Sequence, residues 1–207
     1  MADEIKIFQK EVKSMTIKQK LLKSFYPFLM KFSGLKNNRV KVNTEQKTPS
    51  VSIYTLKAMK TNNELLLLKD LKGKKILLVN TASDCGYTRQ YEDLEKLYRQ
   101  YKGKLVVLGF PANDFKQQEK GTDDDITTFC KTNYGVTFPL MKKSQVINGA
   151  GQNQVFNWLS DAHKNGWNNL APAWNFSKYL VDEQGMLTHY FDPSVLPLGK
   201  ELMTAIG

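Results

Sequence analysis

Two strand-sized apolar runs on either side of a helical pattern constrain the fold of this chain more than any other feature. The runs cover residues 76–80 and 105–110, and the apolar residues between positions 88 and 101 recur at helical spacing. Two buried strands that a helix connects run parallel, with a right-handed crossover. The segments that follow both strands therefore meet at one edge of a sheet, where open α/β folds place their functional sites.

The remaining patterns extend this unit into a mixed sheet. They predict an N-terminal β-hairpin from strands at 50–56 and 65–68, a helix capped by Thr122, a helix over 155–163, a second hairpin from strands at 178–182 and 186–191, and a helix over 198–206. Strands joined by a short turn are antiparallel. The chain is thus expected to be α/β with the thioredoxin-like plan, a central mixed β-sheet flanked by helices.

The first 48 residues differ from the rest of the chain in charge. They hold eleven lysines and arginines against four acidic residues, and so carry most of the formal net charge of +10. The nearly balanced remainder argues against nucleic-acid binding as the main task. We predict a basic, helical N-terminal extension and linker over residues 1–48, and one globular domain over residues 49–207.

Residues 16–32 of this extension combine helically spaced apolar residues with interleaved lysines. Three interpretations stay open: an arm that lies over the domain, a basic amphipathic segment at a membrane surface, or a signal peptide if translation starts at Met15. No apolar run approaches the ~20 residues of a membrane-spanning helix. We expect a cytoplasmic protein, with this segment as a candidate for peripheral membrane contact.

The chain has two cysteines, Cys85 and Cys130, and no Cys-x-x-C pair, which excludes a disulfide-dense scaffold. Cys85 follows the first buried strand, where the N–H groups of the next helix can stabilise a thiolate. Arg89 favours the thiolate and Asp84 opposes it, so an inert core cysteine stays an alternative at this point. The two histidines lack a ligand pattern, and no metal site is expected.

Four separated motifs resemble the glutathione peroxidase family. They are Asn-x-Ala-Ser-x-Cys-Gly-Tyr-Thr at 80–88, Gly-Phe-Pro-x-Asn-x-Phe-x-x-Gln-Glu at 109–119, Phe-Cys-x-x-Asn-Tyr-Gly-Val-Thr-Phe-Pro at 129–139 and Trp-Asn-Phe-Ser-Lys at 174–178. The resemblance runs from about residue 50 to the C-terminus, so the extension lies outside it. It implies a peroxidase that reduces hydrogen peroxide and organic or lipid hydroperoxides.

The resemblance also implies roles for individual residues. Cys85 matches the position whose thiolate attacks the peroxide and becomes a sulfenic acid. Gln118, Trp174 and Asn175 match the other positions of the family's catalytic tetrad. All three side chains are hydrogen-bond donors, so they can stabilise charge on the sulfur and on the peroxide oxygens.

Cys130 matches the cysteine that resolves the sulfenic acid in thioredoxin-dependent members. The resemblance therefore implies a transient Cys85–Cys130 disulfide, for which the helix carrying Cys130 must loosen, and recycling by thioredoxin without a further cofactor. Three alternatives stay open: direct reduction of Cys85 by glutathione, a peroxide sensor that relays oxidation to partner thiols, and Cys130 as a plain core residue.

The chain departs from the family pattern in the loop around Gln118 and in a later segment. The departures are Ala112 for a third cysteine, Asp114 for Gln, Lys116-Gln117 for Gly-Gly, and Lys120 for Pro. Residues 140–174 lack the insertion that tetrameric members use for assembly. By analogy, a monomer with an open site that admits bulky hydroperoxides is expected.

Overall fold

The computed structural model describes residues 16–17, 20–21 and 39–207, so most of the segment 16–32 lies outside the described residues. The strands are β1 (Val40–Val42), β2 (Lys57–Met59), β3 (Leu65–Leu67), β4 (Lys75–Thr81), β5 (Leu105–Pro111), β6 (Lys178–Val181) and β7 (Leu187–Phe191). The helices are α1 (Gln90–Gln100), α2 (Asp123–Tyr134), α3 (Gln154–Leu159), α4 (Ala162–Asn165) and α5 (Lys200–Ile206), with 3₁₀ turns at Ile53–Thr55 and Leu68–Leu71. Among the described residues, no helix has the length and apolar character needed to cross a membrane.

A five-stranded mixed sheet forms the centre of the fold, in the order β1-β7-β6-β4-β5. β4 and β5 run parallel on either side of α1 in the chain, as the sequence predicted, and Thr81 lies opposite Pro111 at their ends. β6 pairs antiparallel with both β4 and β7. Because β4 and β5 end in register, the loops that carry Cys85 and Gln118 leave the sheet from the same edge.

Helices cover both faces of the sheet and divide the core into two layers. On one face, α1, α2 and α5 pack on side chains such as Leu77, Val79 and Val107. On the other face, α3 and the two 3₁₀ turns pack on Ile76 and Leu78. The pleat sends successive side chains of β4 to opposite faces, which explains this alternation. Both cysteines are buried in the first layer.

The structure differs from the prediction where the domain begins. Residues 1–48, predicted as an extension and linker, contain β1, which pairs antiparallel with β7 through Val40 opposite Phe191. Three residues are a weak strand signal in a sequence, and it is the unpaired edge of β7 that stabilises them. The sheet therefore extends into the predicted extension.

Two further elements differ from the prediction. The strand predicted over residues 50–56 is a 3₁₀ turn capped by Ser52, and the predicted N-terminal hairpin is formed by β2 and β3 instead. The helix predicted over residues 155–163 is split into α3 and α4, because Asp161 caps a new helix with its side chain.

Helix α2 begins where the sequence predicted and is capped at both ends. The Thr122 hydroxyl accepts from the Asp125 N–H, and the Asp125 carboxylate accepts from the Thr122 N–H. Gly135 ends the helix in the left-handed conformation, with φ of 63°. These caps fix the helix that holds Cys130 in the core.

Candidate active site

Cys85 lies at the carboxyl end of β4, in the loop that leads into α1. Its N–H donates to the Thr88 hydroxyl at 3.0 Å, and this hydroxyl lies 2.9 Å from the carbonyl oxygen of Ala82. Thr88 thus closes the loop and limits the directions open to the Cys85 side chain. The residue is 3% exposed, so its sulfur lies in a largely water-free environment.

Three hydrogen-bond donor groups act on the Cys85 thiol. The backbone N–H of Tyr87 donates to Sγ at 3.4 Å, just before the first turn of α1. The side chains of Trp174 and Asn175 lie close enough to lower the pKa of the same thiol. Arg89, expected to add positive charge, lies 4.0 Å from a glutamate of α1 in an ion pair.

Burial dominates the acidity of this thiol. It raises the pKa of Cys85, the three donors lower it, and the neighbouring Asp84 carboxylate raises it, with a net shift above the usual value of a thiol. At neutral pH the resting residue is therefore protonated. Desolvation outweighs the N–H groups at the start of α1, a balance that the sequence left open.

The Trp174-Asn175 pair reaches the sulfur because the end of β4 holds its backbone. Asn80 Nδ2 donates to the Trp174 carbonyl at 3.1 Å, and the Phe176 N–H donates to the Asn80 carbonyl at 2.7 Å. Phe176 has a φ of 69°, which a bulky side chain rarely adopts. The contacts with β4 thus impose the turn that directs Trp174 and Asn175 toward Cys85.

Gln118 joins this group through Asn175. Its Oε1 accepts from Asn175 Nδ2 at 2.9 Å, and its backbone carbonyl accepts from the Asp84 N–H at 3.0 Å. Because Gln118 accepts in the first bond, its own amide N–H groups stay available to a bound molecule. The structure therefore brings together all four residues that the resemblance singled out: Cys85, Gln118, Trp174 and Asn175.

The loop before Gln118 surrounds the indole of Trp174. The ring centroid of Phe115 lies 5.3 Å from that of Trp174, and Lys116 Nζ lies 5.8 Å from the indole centroid. Lys116 and Gln117 have φ values of 49° and 52°. Such a left-handed conformation costs an L-residue about 1–2 kcal/mol. The two positions are those at which the resemblance places Gly-Gly, and the strain explains that preference.

Two buried charged side chains support the site, and the residue patterns predicted neither. Lys178 is fully buried, and its Nζ donates to the carbonyls of Phe176 and Val195 at 2.8 Å each. Glu119 is 1% exposed and accepts from the Ser83 hydroxyl at 3.0 Å. The sequence signal that could have indicated the burial of Lys178 is its position as the first residue of the otherwise apolar strand β6.

Cys130 is fully buried in α2, in the core layer that also holds Tyr91 of α1. Burial raises the pKa of the Cys130 thiol well above its usual value, and the charge of Glu119 raises it further. Both cysteines are free thiols. In this state Cys130 is thus a core residue of α2. Within the described residues, no cluster of His, Cys, Asp and Glu could hold a metal ion.

Known proteins share this sequence over most of its length. The family model for glutathione peroxidase matches residues 53–160. Glutathione peroxidase-like peroxiredoxin 2 of Saccharomyces cerevisiae is 44% identical over 161 residues, which cover 76% of this chain and 99% of the relative. A glutathione peroxidase of Lactococcus lactis is 40% identical over 148 residues, which cover 71% of this chain and 93% of the relative.

Solved structures agree with this family and with the fold. The crystal structure of Trgpx in its apo form has a TM-score of 0.57 at 33% identity, and the match covers 76% of this chain and 96% of the other. T. cruzi GPX1 has a TM-score of 0.57 at 29% identity, covering 75% and 97%. A thioredoxin family protein of Chlorobium tepidum, 14% identical with a TM-score of 0.53 over 78% and 97%, shares the fold alone. The chain therefore belongs to the glutathione peroxidase family and is a peroxidase with a thioredoxin-like fold.

Proposed function

We propose that this protein reduces hydrogen peroxide and organic or lipid hydroperoxides with Cys85 as its nucleophile. The observation that carries the proposal is the buried Cys85 thiol, to which the backbone of Tyr87 donates and whose pKa the donor side chains of Trp174 and Asn175 lower. Fixed donors of this kind stabilise negative charge as it develops on the sulfur. They act strongly because the site is poor in water.

The first step transfers one oxygen atom to the sulfur. The Cys85 sulfur attacks one oxygen of the hydroperoxide, the S–O bond forms as the O–O bond breaks, and the thiol proton passes to the leaving oxygen. The products are a cysteine sulfenic acid and either water or an alcohol. Since the resting residue is a thiol, the proton that the leaving oxygen needs is already in the site. We assign the amide N–H groups of Gln118 to the leaving oxygen, where one such donor contributes about 2.7–4 kcal/mol in comparable sites.

We assign the second step to Cys130. Its thiol displaces the hydroxyl of the Cys85 sulfenic acid, so that an S–S bond forms and water leaves with the thiol proton. A disulfide needs Cα atoms within about 7 Å of each other. Cys130 is enclosed in the core on a separate element, so this step requires α2 to open.

We propose thioredoxin, or a similar dithiol, as the reductant that reopens the disulfide, with glutathione as the alternative. The support is that two free cysteines are present and that relatives bear the name peroxiredoxin. Free thiols also suit the reducing cytoplasm.

Variants of the two cysteines test these assignments. Cys85→Ser is expected to abolish peroxide consumption, and retention of activity in this variant contradicts the proposed function. Cys130→Ser is expected to consume one equivalent of peroxide and then stop when thioredoxin is the reductant. Steady-state turnover with thioredoxin and with glutathione, measured in parallel, checks both. Full thioredoxin-dependent turnover by Cys130→Ser contradicts the resolving role, and turnover with glutathione alone indicates direct reduction of Cys85.

For the domain we propose a monomer, because residues 140–174 lack the insertion that tetrameric members use for assembly.

For the N-terminal segment we propose peripheral contact with a membrane surface. Of the four residues described between positions 16 and 32, Ile17 and Leu21 are spaced four apart, as on one face of a helix. Their side chains are 87% and 58% exposed. Exposed apolar residues with lysines between them are typical of segments that bind anionic lipid surfaces.

A further inference from the structure

Lys116 places a positive charge against the tryptophan of the site. Its Nζ lies 5.8 Å from the centroid of the Trp174 indole, and the Trp174 side chain lowers the pKa of the Cys85 thiol. The ammonium group and the thiol are therefore both neighbours of the same indole. A molecule that reaches the sulfur past Trp174 passes close to this charge.

Apart from its contact with the Trp174 ring, the charge of Lys116 faces the solvent. The side chain is exposed and forms no ion pair within residues 39–207. The groups that act on the Cys85 thiol are the three donors and Asp84, together with burial. The charge of Lys116 can thus attract molecules that approach the site from the solvent.

The backbone at this position is strained. Lys116 and Gln117 both have left-handed φ values, 49° and 52°, in a conformation that glycine adopts freely and side chains do not. Strained residues persist where surrounding contacts impose them, and they concentrate at sites that bind ligands. Packing of Phe115 on Trp174 is one such contact, and it fixes the turn from which Lys116 reaches over the indole.

We propose that Lys116 is a specificity-determining residue that selects organic hydroperoxides carrying a carboxylate. The proposal rests on the proposed function of Cys85. When the peroxide oxygen is at Sγ, a carboxylate farther along the substrate can reach the ammonium group beside Trp174, whereas a neutral substrate gains nothing from it. The chemical step is unchanged: the S–O bond forms, the O–O bond breaks, and the thiol proton goes to the leaving alkoxide.

The test compares an acid with its neutral ester. The second-order rate constant of Cys85 oxidation is measured by stopped-flow fluorescence, without any reductant, for hydrogen peroxide, linoleic acid hydroperoxide and the methyl ester of the latter. The two lipids are presented in the same nonionic detergent micelles. For the wild type we expect the acid to react about 3–10-fold faster than the ester at low salt. This ratio should fall toward unity near 1 M salt, where the Debye length is about 3 Å.

Three variants locate the effect. Lys116→Asn removes the charge and keeps a residue that tolerates the left-handed conformation, so the acid-to-ester ratio should fall to about 1 while the rate with hydrogen peroxide stays within about twofold. Lys116→Glu should bring the ratio below 1. Lys120→Gln, an exposed lysine of the same loop, removes the same charge elsewhere and should keep the ratio of the wild type.

Each contrary result has a distinct meaning. A wild-type ratio near 1, an unchanged ratio in Lys116→Asn, or an equal loss in Lys120→Gln overturns the role of Lys116 and leaves the peroxidase intact. No oxidation of the wild type by hydrogen peroxide overturns the function of Cys85 itself.

Discussion

The carboxyl group of Glu119 lies in the core beside both cysteine-bearing segments. Burial raises its pKa to about 7, while the Ser83 hydroxyl that donates to it and the charge of Lys143 oppose the shift. Other ionisable groups that act on it or feel its charge are Asp84 before α1, Tyr91 in α1 and Cys130 in α2. This carboxyl therefore titrates near neutral pH inside the protein, and the free energy of unfolding depends on pH as a result.

We expect Glu119→Gln to remove a pH dependence of stability. The folded protein binds this proton more tightly than the unfolded chain, because the pKa rises from 4.5 to about 7 on folding. The contribution is fully present below pH 4.5 and is lost as the pH rises to about 7. Across this range, the free energy of unfolding of the wild type should fall by about 3 kcal/mol relative to the variant. Urea unfolding at a series of pH values measures it.

The control for this prediction is an exposed carboxylate. Hydrogen bonds from Lys60 and Asn62 lower the pKa of Glu64, so this group titrates below the range in question. Glu64→Gln should therefore give the same pH profile as the wild type. If the free energy of unfolding changes with pH in the same way for the wild type and Glu119→Gln, the buried carboxyl is not the source of the pH dependence.

At the scale of elements, the stability of α2 opposes the proposed disulfide step, because that step requires the helix to open. Its start was predictable, because Thr122 and the acidic residues after it are local signals. A core position for Cys130 was one of the alternatives that the sequence left open, and the structure places the residue fully buried, in the core layer that also holds Tyr91 of α1. The caps that stabilise α2 should thus also hold the resolving thiol away from Cys85.

We expect Thr122→Ala to accelerate formation of the Cys85–Cys130 disulfide. The substitution removes one bond of the capping box and destabilises α2 by about 1 kcal/mol. If α2 must open, the open state becomes roughly fivefold more populated and the disulfide forms roughly fivefold faster. The measurement adds one equivalent of peroxide, quenches with an alkylating agent and follows the loss of free thiols by mass.

Thr132→Ala is the matched control, since Thr132 is exposed in the same helix and caps nothing. It should not accelerate the reaction, because alanine is a better helix former than threonine. Equal rates for wild type and Thr122→Ala, with a confirmed loss of stability, would show that opening of α2 does not limit the step.

At the scale of the whole molecule, residues 39–42 of the N-terminal region belong to the folded domain. Val40–Val42 form the edge strand β1, and Arg39 pairs with Glu201 of α5 at 2.8 Å. A deletion that ends before Arg39 therefore removes the basic segment and leaves the sheet complete. A deletion up to residue 48 would also remove β1 and expose the edge of β7.

We expect the chain without residues 1–38 to lose binding to anionic liposomes and to keep its peroxidase activity. The removed segment holds the basic residues and the exposed apolar side chains that would bind lipid. Co-sedimentation with vesicles of anionic and of neutral lipid measures the difference. In the full chain, Leu21→Glu tests the same segment without shortening the protein and should weaken binding to anionic liposomes. Leu21 is 58% exposed, so its replacement leaves the core intact. Equal sedimentation of full and shortened chains contradicts membrane contact.

The sequence by itself determined the parallel pair β4 and β5, the helix between them and the position of Cys85 at their carboxyl edge. These follow from periodicity and from the handedness of the crossover, which are local or nearly universal. The motifs also identified the donors Gln118, Trp174 and Asn175 as residue types. Such information lies within short stretches of chain.

Only the tertiary structure decided what surrounds those residues. It added β1 to the sheet, turned Asn175 toward both Gln118 and the sulfur, buried Glu119, and set Lys116 over Trp174. It also decided that burial, rather than the N–H groups before α1, controls the pKa of the Cys85 thiol. The physical reason is that desolvation and strand pairing depend on segments distant in the sequence, whereas turns, caps and periodicity depend on neighbours.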